Sequence, residues 1–133
     1  NLLQGKQTLY SLIFLSQALI DIAKNDRELL QFAIEKLHTS YIIAPNNASI
    51  SRLLNIAYGK MGNLFLANYY YANYKYLIGD LQKALKFAKK AESLIKKSEK
   101  ISYSDKIKLE DLIQIIHNDD RLKKSLKNDN FTG

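Results

Sequence analysis

The sequence predicts an all-α protein in which about six helices pack as antiparallel pairs. The 133-residue chain contains one proline and five glycines, which is few for a turn-rich β fold. Apolar residues recur at three- and four-residue steps through most of the chain, and this spacing indicates amphipathic helices. The connections between these segments are short, which favours antiparallel neighbours. We therefore expect one helical domain over residues 1–127 and a disordered tail at residues 128–133.

Capping residues and breaks divide this domain into its helices. Asp26, Asn47 and Asp80 each precede an apolar stripe, and their short polar side chains can accept hydrogen bonds from the first turn of a helix. Pro45 disfavours helical geometry at Ala44 and lacks an N–H to continue a helix. After a frayed lead-in at residues 1–6, the expected helices span residues 7–24, 27–43, 48–61, 63–78, 80–97 and about 102–117, with one or two basic turns at 121–127.

Two turns in the middle of the chain share one sequence pattern. Gly62-Asn63-Leu64 is followed by Ala67, and seventeen residues later Gly79-Asp80-Leu81 is followed by Ala84. We expect Gly62 to end its helix in the left-handed conformation, which costs a residue with a Cβ roughly 1 kcal/mol. Seventeen residues is half of the 34-residue tetratricopeptide period, the length of one helix and its turn.

The chain resembles the tetratricopeptide repeat family at these turns and at several other positions. The resemblance implies a short right-handed superhelix of helix pairs that binds other proteins. The residues at signature positions of the family are Ala33, Pro45, Tyr58, Gly62, Ala67, Tyr71, Gly79, Ala84 and Ala91.

A narrower resemblance rests on residues 51–63, 66–71 and 79–84. These stretches look like the C-terminal tetratricopeptide domain of BepA-type bacterial zinc metallopeptidases, and residues 104–115 take the place of that family's last helix. The resemblance implies a periplasmic protein with an upstream zinc protease domain, acting in assembly and quality control of outer-membrane proteins. The implied partners are that protease domain and outer-membrane assembly components. Without the resemblance, a cytoplasmic location is expected.

The resemblance leaves two alternatives for the helices that line a partner-binding groove. If residues 48–61 and 80–97 line it, Arg52, Ile56 and Lys60 face the partner together with the lysines at 83, 86, 90 and 97. If residues 63–78 line it, Tyr69, Asn73 and Tyr76 face the partner, although tyrosines at this spacing also suit a core. The candidate groove residues are Arg52, Asn55, Ile56, Lys60, Tyr69, Tyr70, Asn73 and Tyr76.

The sequence predicts no catalytic, cofactor-binding or metal-binding residue in this chain. The HExxH motif of the metallopeptidases is absent, and cysteines are absent as well. His38 and His117 fall on different helices without a carboxylate at ligand spacing. We therefore expect a protein that is not an enzyme by itself, although a full-length relative of this family would be a zinc metallopeptidase.

The net charge of +7 comes from 17 lysines and 3 arginines against 13 acidic residues. A solvated lysine face explains this charge, and an acidic partner or anionic lipid is the functional alternative. Nucleic acid is not an expected partner because such sites use arginine for bidentate contacts. No membrane span is expected, since polar residues interrupt the apolar segment 9–23. The leading hypothesis is a protein-binding accessory domain. The alternatives are a free-standing adaptor and a basic module that binds nucleic acid or anionic membrane.

Overall fold

A computed structural model describes residues 2–132 of the chain and the side chains of residues 3–129. Within residues 2–132 the chain forms seven α-helices and no strand, so the predicted all-α class is confirmed. The helices are α1 (Leu2–Ala23), α2 (Arg27–Ile43), α3 (Ala48–Lys60), α4 (Leu64–Leu77), α5 (Leu81–Ile95), α6 (Tyr103–His117) and α7 (Asp120–Thr132).

Side-chain caps start five of the helices. Asp26 accepts hydrogen bonds from the backbone N–H groups of Glu28 and Leu29 at the start of α2. Asn47, Asn63, Asp80 and Ser102 cap α3, α4, α5 and α6 in the same way. Each cap satisfies a backbone donor that has no partner inside its own helix. The caps predicted at positions 26, 47 and 80 are therefore confirmed.

The two matching turns of the sequence have matching geometry. Gly62 and Gly79 both adopt positive φ angles, +80° and +88°. The residue after each glycine donates its backbone N–H to the carbonyl oxygen five residues earlier. Asn63 donates to Tyr58 and Asp80 donates to Lys75, both over 2.9 Å. This pairing is the one that closes a helix ending in a left-handed residue. The left-handed conformation expected at Gly62 is confirmed.

The helices form two layers. α2, α4 and α6 make up one layer, in which the rings of Tyr41 and Tyr70 join α2 to α4 and α4 also contacts α6. The other layer contains α1 and α3, which contact each other, and α5 and α7, which do the same. Consecutive helices alternate between the layers, and the most extensive contacts are those of α4 with α3 and α5. Packed helix pairs of this kind are consistent with a helical repeat.

Small residues allow α4 and α5 to approach closely. Ala72 of α4 and three alanines of α5, at positions 84, 88 and 91, have no exposed surface. Alanine at a helix contact brings the helix axes nearer together than leucine does, because less side chain separates them. Of the small residues that carried the repeat pattern, Ala33 is equally buried on α2, and Ala67 retains 8% exposure.

Both ends of the chain are more helical than the sequence predicted. α1 begins at Leu2, within the stretch 1–6 that was expected to fray, and α7 extends to Thr132 through residues expected to form a disordered tail. Leu122 is 3% exposed, and Gln82 Nε2 donates to Ser125 Oγ over 2.6 Å, so α7 is held against α5. This docking was not visible in the polar sequence of 118–127. Residues 1 and 133 lie outside the described part of the chain.

Candidate functional site

The layer of α2, α4 and α6 contains a cleft of about 270 Å³. α4 forms its centre, and the end of α2 with the following turn forms one wall. α6 forms the other wall through residues spaced at three and four positions, which puts them on one helix face. The cleft is lined by Tyr41, Pro45, Asn46, Tyr69, Asn73, Tyr76, Leu77, Lys108, Asp111, Leu112 and Ile115.

Stacked and edge-on rings support the cleft from below. The ring of Tyr70 lies parallel to that of Tyr58, with the ring centroids 5.8 Å apart. The rings of Tyr41 and Tyr69 make edge-to-face contacts with Tyr70, at centroid distances of 5.9 Å and 4.9 Å. Offset stacking and edge-to-face contact are the arrangements that aromatic quadrupoles favour. Burial raises the pKa of Tyr70 and of Tyr69, so both hydroxyls stay protonated even above the pH at which an exposed tyrosine ionises. The rings therefore form an uncharged base under the cleft.

His38 belongs to the same aromatic cluster. Its Nε2 lies 2.7 Å from the hydroxyl oxygen of Tyr58, and the two share a hydrogen bond. Burial lowers the pKa of His38, and the positive charge of Lys108 lowers it further, although Asp105 acts in the opposite direction. Burial also raises the pKa of Tyr58 to about 12. The pair is thus neutral at pH 7 and joins α2 to α3.

The predicted groove residues of α4 divide between the cleft and the core. Tyr69, Asn73 and Tyr76 line the cleft, although the first two are largely buried. Tyr70 is 1% exposed, so its side chain has no surface to offer a partner. The expectation that Tyr70 lines an accessible groove is wrong, because the helix turns its ring inward onto Tyr58.

The predicted groove residues of α3 do not line this cleft. Arg52, Asn55 and Ile56 are half-buried on α3, and Ile56 packs against the hydrophobic core. Lys60 instead donates from Nζ to the carbonyl oxygen of Ile20 over 3.1 Å, which links α3 to the end of α1. The structure therefore separates the two candidate sets, and the α4 set is the one that meets a cleft.

The sequence interpretation missed the walls that α2 and α6 contribute. Lys108, Asp111, Leu112 and Ile115 form an i, i+3, i+4, i+7 face of α6. Their spacing was visible, and α6 was interpreted only as an end helix. The sequence did not indicate that α6 packs against α4.

A second cavity of about 620 Å³ lies at the end of the stack where the α3–α4 turn meets the α5–α6 linker. Arg27 lines it and donates from Nη1 to the carbonyl oxygen of Met61 over 3.1 Å. Lys97 and Lys100 line it as well, with one carboxylate, that of Asp105, which lies 3.8 Å from Lys108 Nζ. Lys97 is one of the four lysines that the sequence placed towards a partner in one alternative, whereas none of the eight candidate groove residues of α3 and α4 lines this cavity.

Comparisons with protein-family models, curated proteins and solved structures found no match. Across the described part of the chain, no helix is both long and apolar enough to span a membrane. The same residues contain no group of three or more His, Cys, Asp or Glu side chains placed to hold a metal ion. The fold and the cleft therefore define the class of protein, an all-α stack of paired helices.

Proposed function

We propose that the chain is a non-catalytic tetratricopeptide-like domain that binds a segment of another protein in the cleft between α2, α4 and α6. The observation that carries the proposal is the cleft itself, in which three helices of one layer present a shared surface. Stacked helix pairs use such layers as extended binding surfaces. Rings and amides line it together, which suits a peptide because peptides offer both apolar side chains and backbone hydrogen-bonding groups.

The size and charge of the cleft support a peptide over a cofactor. Its volume of about 270 Å³ is below the roughly 300–1,000 Å³ of small-molecule sites, and it matches one or two side chains of a longer segment. One cation, Lys108, and one anion, Asp111, line the cleft with several apolar residues. A partner segment with an apolar anchor and no strong net charge fits this lining.

A peptide selection tests the proposal directly. A random peptide library is displayed on phage and panned against the wild-type chain. Peptides that bind the cleft should be lost with Ile115→Arg, which places a charge on the α6 wall. They should be retained with Ile42→Arg, because Ile42 is highly exposed on α2 and does not line the cleft. Peptides that bind both variants equally, or a library that yields no binder, would refute the proposal.

We further propose that the domain is an accessory part of a bacterial zinc metallopeptidase that acts in the periplasm. The support is the resemblance of residues 51–63, 66–71 and 79–84 to the C-terminal domain of BepA-type proteins. The gene sequence around this segment tests the proposal. An upstream HExxH motif and signal peptide are expected, and a reading frame that lacks both would favour a free-standing adaptor.

A second candidate function is binding of an anionic surface by the outer faces of α4 and α5. Lys90 Nζ lies 4.4 Å from the ring centroid of Phe87, with Lys86 at 5.9 Å, and Lys75 lies 5.3 Å from the ring of Tyr71. This surface presents positive charge held in place by aromatic rings. Affinity for heparin that falls steeply with salt, and that is lost with Lys86→Glu and Lys90→Glu together, would support this candidate. Unchanged affinity would exclude it.

A further inference from the structure

The outer face of α1 exposes an unusual amount of apolar surface. Phe14 is 78% exposed, and Leu3, Tyr10, Leu15 and Ile22 are all more than two-fifths exposed. Their exposed fractions are equivalent to about three fully exposed residues, or on the order of 500–800 Å² at roughly 150–250 Å² for each large side chain. The largest apolar patches on monomers are typically about 300–600 Å². A patch of this size indicates a surface that another molecule covers.

α1 has already used its opposite face inside the stack. Ser16, Ile20 and Ala23 are buried there, and the contacts of α1 are with α2 and α3. Between residues 7 and 23, Asp21 is the one charged side chain of the helix. A solvated helix face normally contains several charged residues. The exposed face of α1 therefore has the composition of a helix–helix contact.

The exposed residues form two neighbouring rows on the helix surface. Tyr10, Phe14, Ala18 and Ile22 follow each other at four-residue steps, and Leu3, Gln7, Ser11 and Leu15 form a parallel row. Rows of this spacing are ridges that can pack into the grooves of a facing helix. The large ring of Phe14 lies beside the small side chains of Ser11 and Ala18. The surface thus has both a ridge, at Phe14, and a groove, at Ser11 and Ala18, into which a ridge of a facing helix can pack.

We propose that a second copy of this chain covers the face, with the two α1 helices packed across a twofold axis near residues 12 and 13. In this arrangement the two residues of each pair, Leu3–Ile22, Tyr10–Leu15 and Ser11–Phe14, lie at equal distances on either side of the axis. Each residue of one copy therefore faces the other member of its pair on the second copy. An interface related by a twofold axis must be self-complementary in this way.

Area and charge also fit a second copy. Stable pairs bury about 800 Å² on each partner, close to the area that the five side chains expose. Each copy has a net charge of +7, so two copies repel one another wherever lysines face lysines. The α1 face avoids this repulsion because it is nearly uncharged. Lys6 near the start of α1 and Asp21 near its end also bring opposite charges towards each other when the helices are antiparallel.

Dimerisation through α1 leaves the cleft accessible. α1 belongs to the layer of α3, whereas the cleft lies in the layer of α2, α4 and α6. Self-association and peptide binding are therefore independent, and loss of one should not abolish the other.

Sedimentation equilibrium of the full chain tests the proposal. Between roughly 1 and 500 µM, a range that detects micromolar affinity, the wild type should change from one copy of 15.3 kDa to twice that mass. Phe14→Lys should keep the protein at one copy, and at concentrations where the wild type is also a single copy it should not lower the thermal midpoint, since Phe14 is mostly exposed. Ile42→Lys, at a highly exposed apolar residue of α2, is the matched control and should still dimerise. A wild type that stays at one copy, or a dimer that survives Phe14→Lys, would overturn the proposal.

Crosslinking tests the placement of the axis. The chain has no cysteine, so Ser11→Cys introduces a single thiol. A short bis-maleimide should join two copies through Ser11→Cys and leave Ser93→Cys, on α5, as single chains. Equal crosslinking of both variants would contradict pairing through α1.

Discussion

Asn73 Nδ2 donates a hydrogen bond to Ser51 Oγ over 2.8 Å in the buried contact between α4 and α3. Both side chains are polar residues inside an otherwise apolar and aromatic interface. A buried donor that loses its acceptor incurs its full desolvation cost, because water cannot replace the partner. This bond therefore stabilises the register of two neighbouring helices of the stack.

Removing the acceptor should destabilise the protein measurably. Ser51→Ala is expected to lower the free energy of unfolding by about 1–3 kcal/mol, since Asn73 then retains an unsatisfied donor. Urea denaturation measures the change. Asn73→Leu combined with Ser51→Ala should recover part of the loss because both polar groups are then gone. A double variant that loses more free energy of unfolding than the two single variants lose together would contradict this account.

Gly59 and Gly62 should respond in opposite directions to the same substitution. Gly59 is helical, and a Cβ built there meets no atom within 4 Å, so Gly59→Ala should stabilise the protein by about 0.5–1 kcal/mol. Gly62 has equal space but a φ of +80°, so Gly62→Ala should destabilise it by about 1 kcal/mol. Thermal denaturation of the two variants side by side distinguishes backbone conformation from crowding. Thermal midpoints that shift in the same direction in both variants would contradict this difference in backbone conformation between Gly59 and Gly62.

Local chemistry explains which features of the fold the sequence could predict. Gly62 and Asp26 act on backbone groups within a few residues, and their roles follow from residue type alone. The direction of the Tyr70 side chain depends on Tyr58 and Tyr41, which belong to two other helices. Periodicity placed Tyr70 on an apolar helix but did not show which side the partner helices occupy. Half of the cleft was missed for the same reason.

The pairing of His38 with Tyr58 predicts a pH dependence of stability. Burial lowers the pKa of His38 in the folded protein below its ordinary value of 6.5, so the unfolded chain binds a proton more readily. The contribution of neutral His38 is therefore fully present above about pH 6.5 and decreases as the pH falls through that value. The free energy of unfolding, measured in urea between pH 8 and pH 5, should decline over this window.

Two variants assign that pH dependence. His38→Gln keeps a hydrogen-bonding group near Tyr58 and does not titrate, so it should flatten the decline near pH 6. His117→Gln is the control, since His117 is exposed at the end of α6, and the decline should remain. The carboxylate of Asp119 does not interfere, because hydrogen bonds from Arg121 lower its pKa to about 2. A decline that persists in His38→Gln would assign the effect to another group.

The attachment of α7 includes one buried leucine. Leu122 is 3% exposed, and Tyr76 and Arg121 both bind Asp119 just before the helix, Arg121 at 2.9 Å. Leu122→Asp should detach α7, because burial of an unpaired carboxylate is unfavourable. Hydrogen exchange followed by mass spectrometry should then show faster exchange in residues 120–129 and unchanged protection in α3 and α4. Lys123→Asp, at an exposed position, should leave α7 protected.

The close approach of α4 and α5 can be tested by filling it. Ala84 has no exposed surface, and α5 uses alanine again at positions 88 and 91 on the same face. A larger side chain at position 84 must either push the helices apart or adopt an unfavourable rotamer. Ala84→Phe is therefore expected to lower the free energy of unfolding by about 1–3 kcal/mol or more. Ser93→Phe adds the same ring on the exposed face of α5 and should change stability by less than about 0.5 kcal/mol. Equal effects at the two positions would mean that the small residues do not set the distance between these helices, and the repeat pattern of the sequence would lose its physical basis.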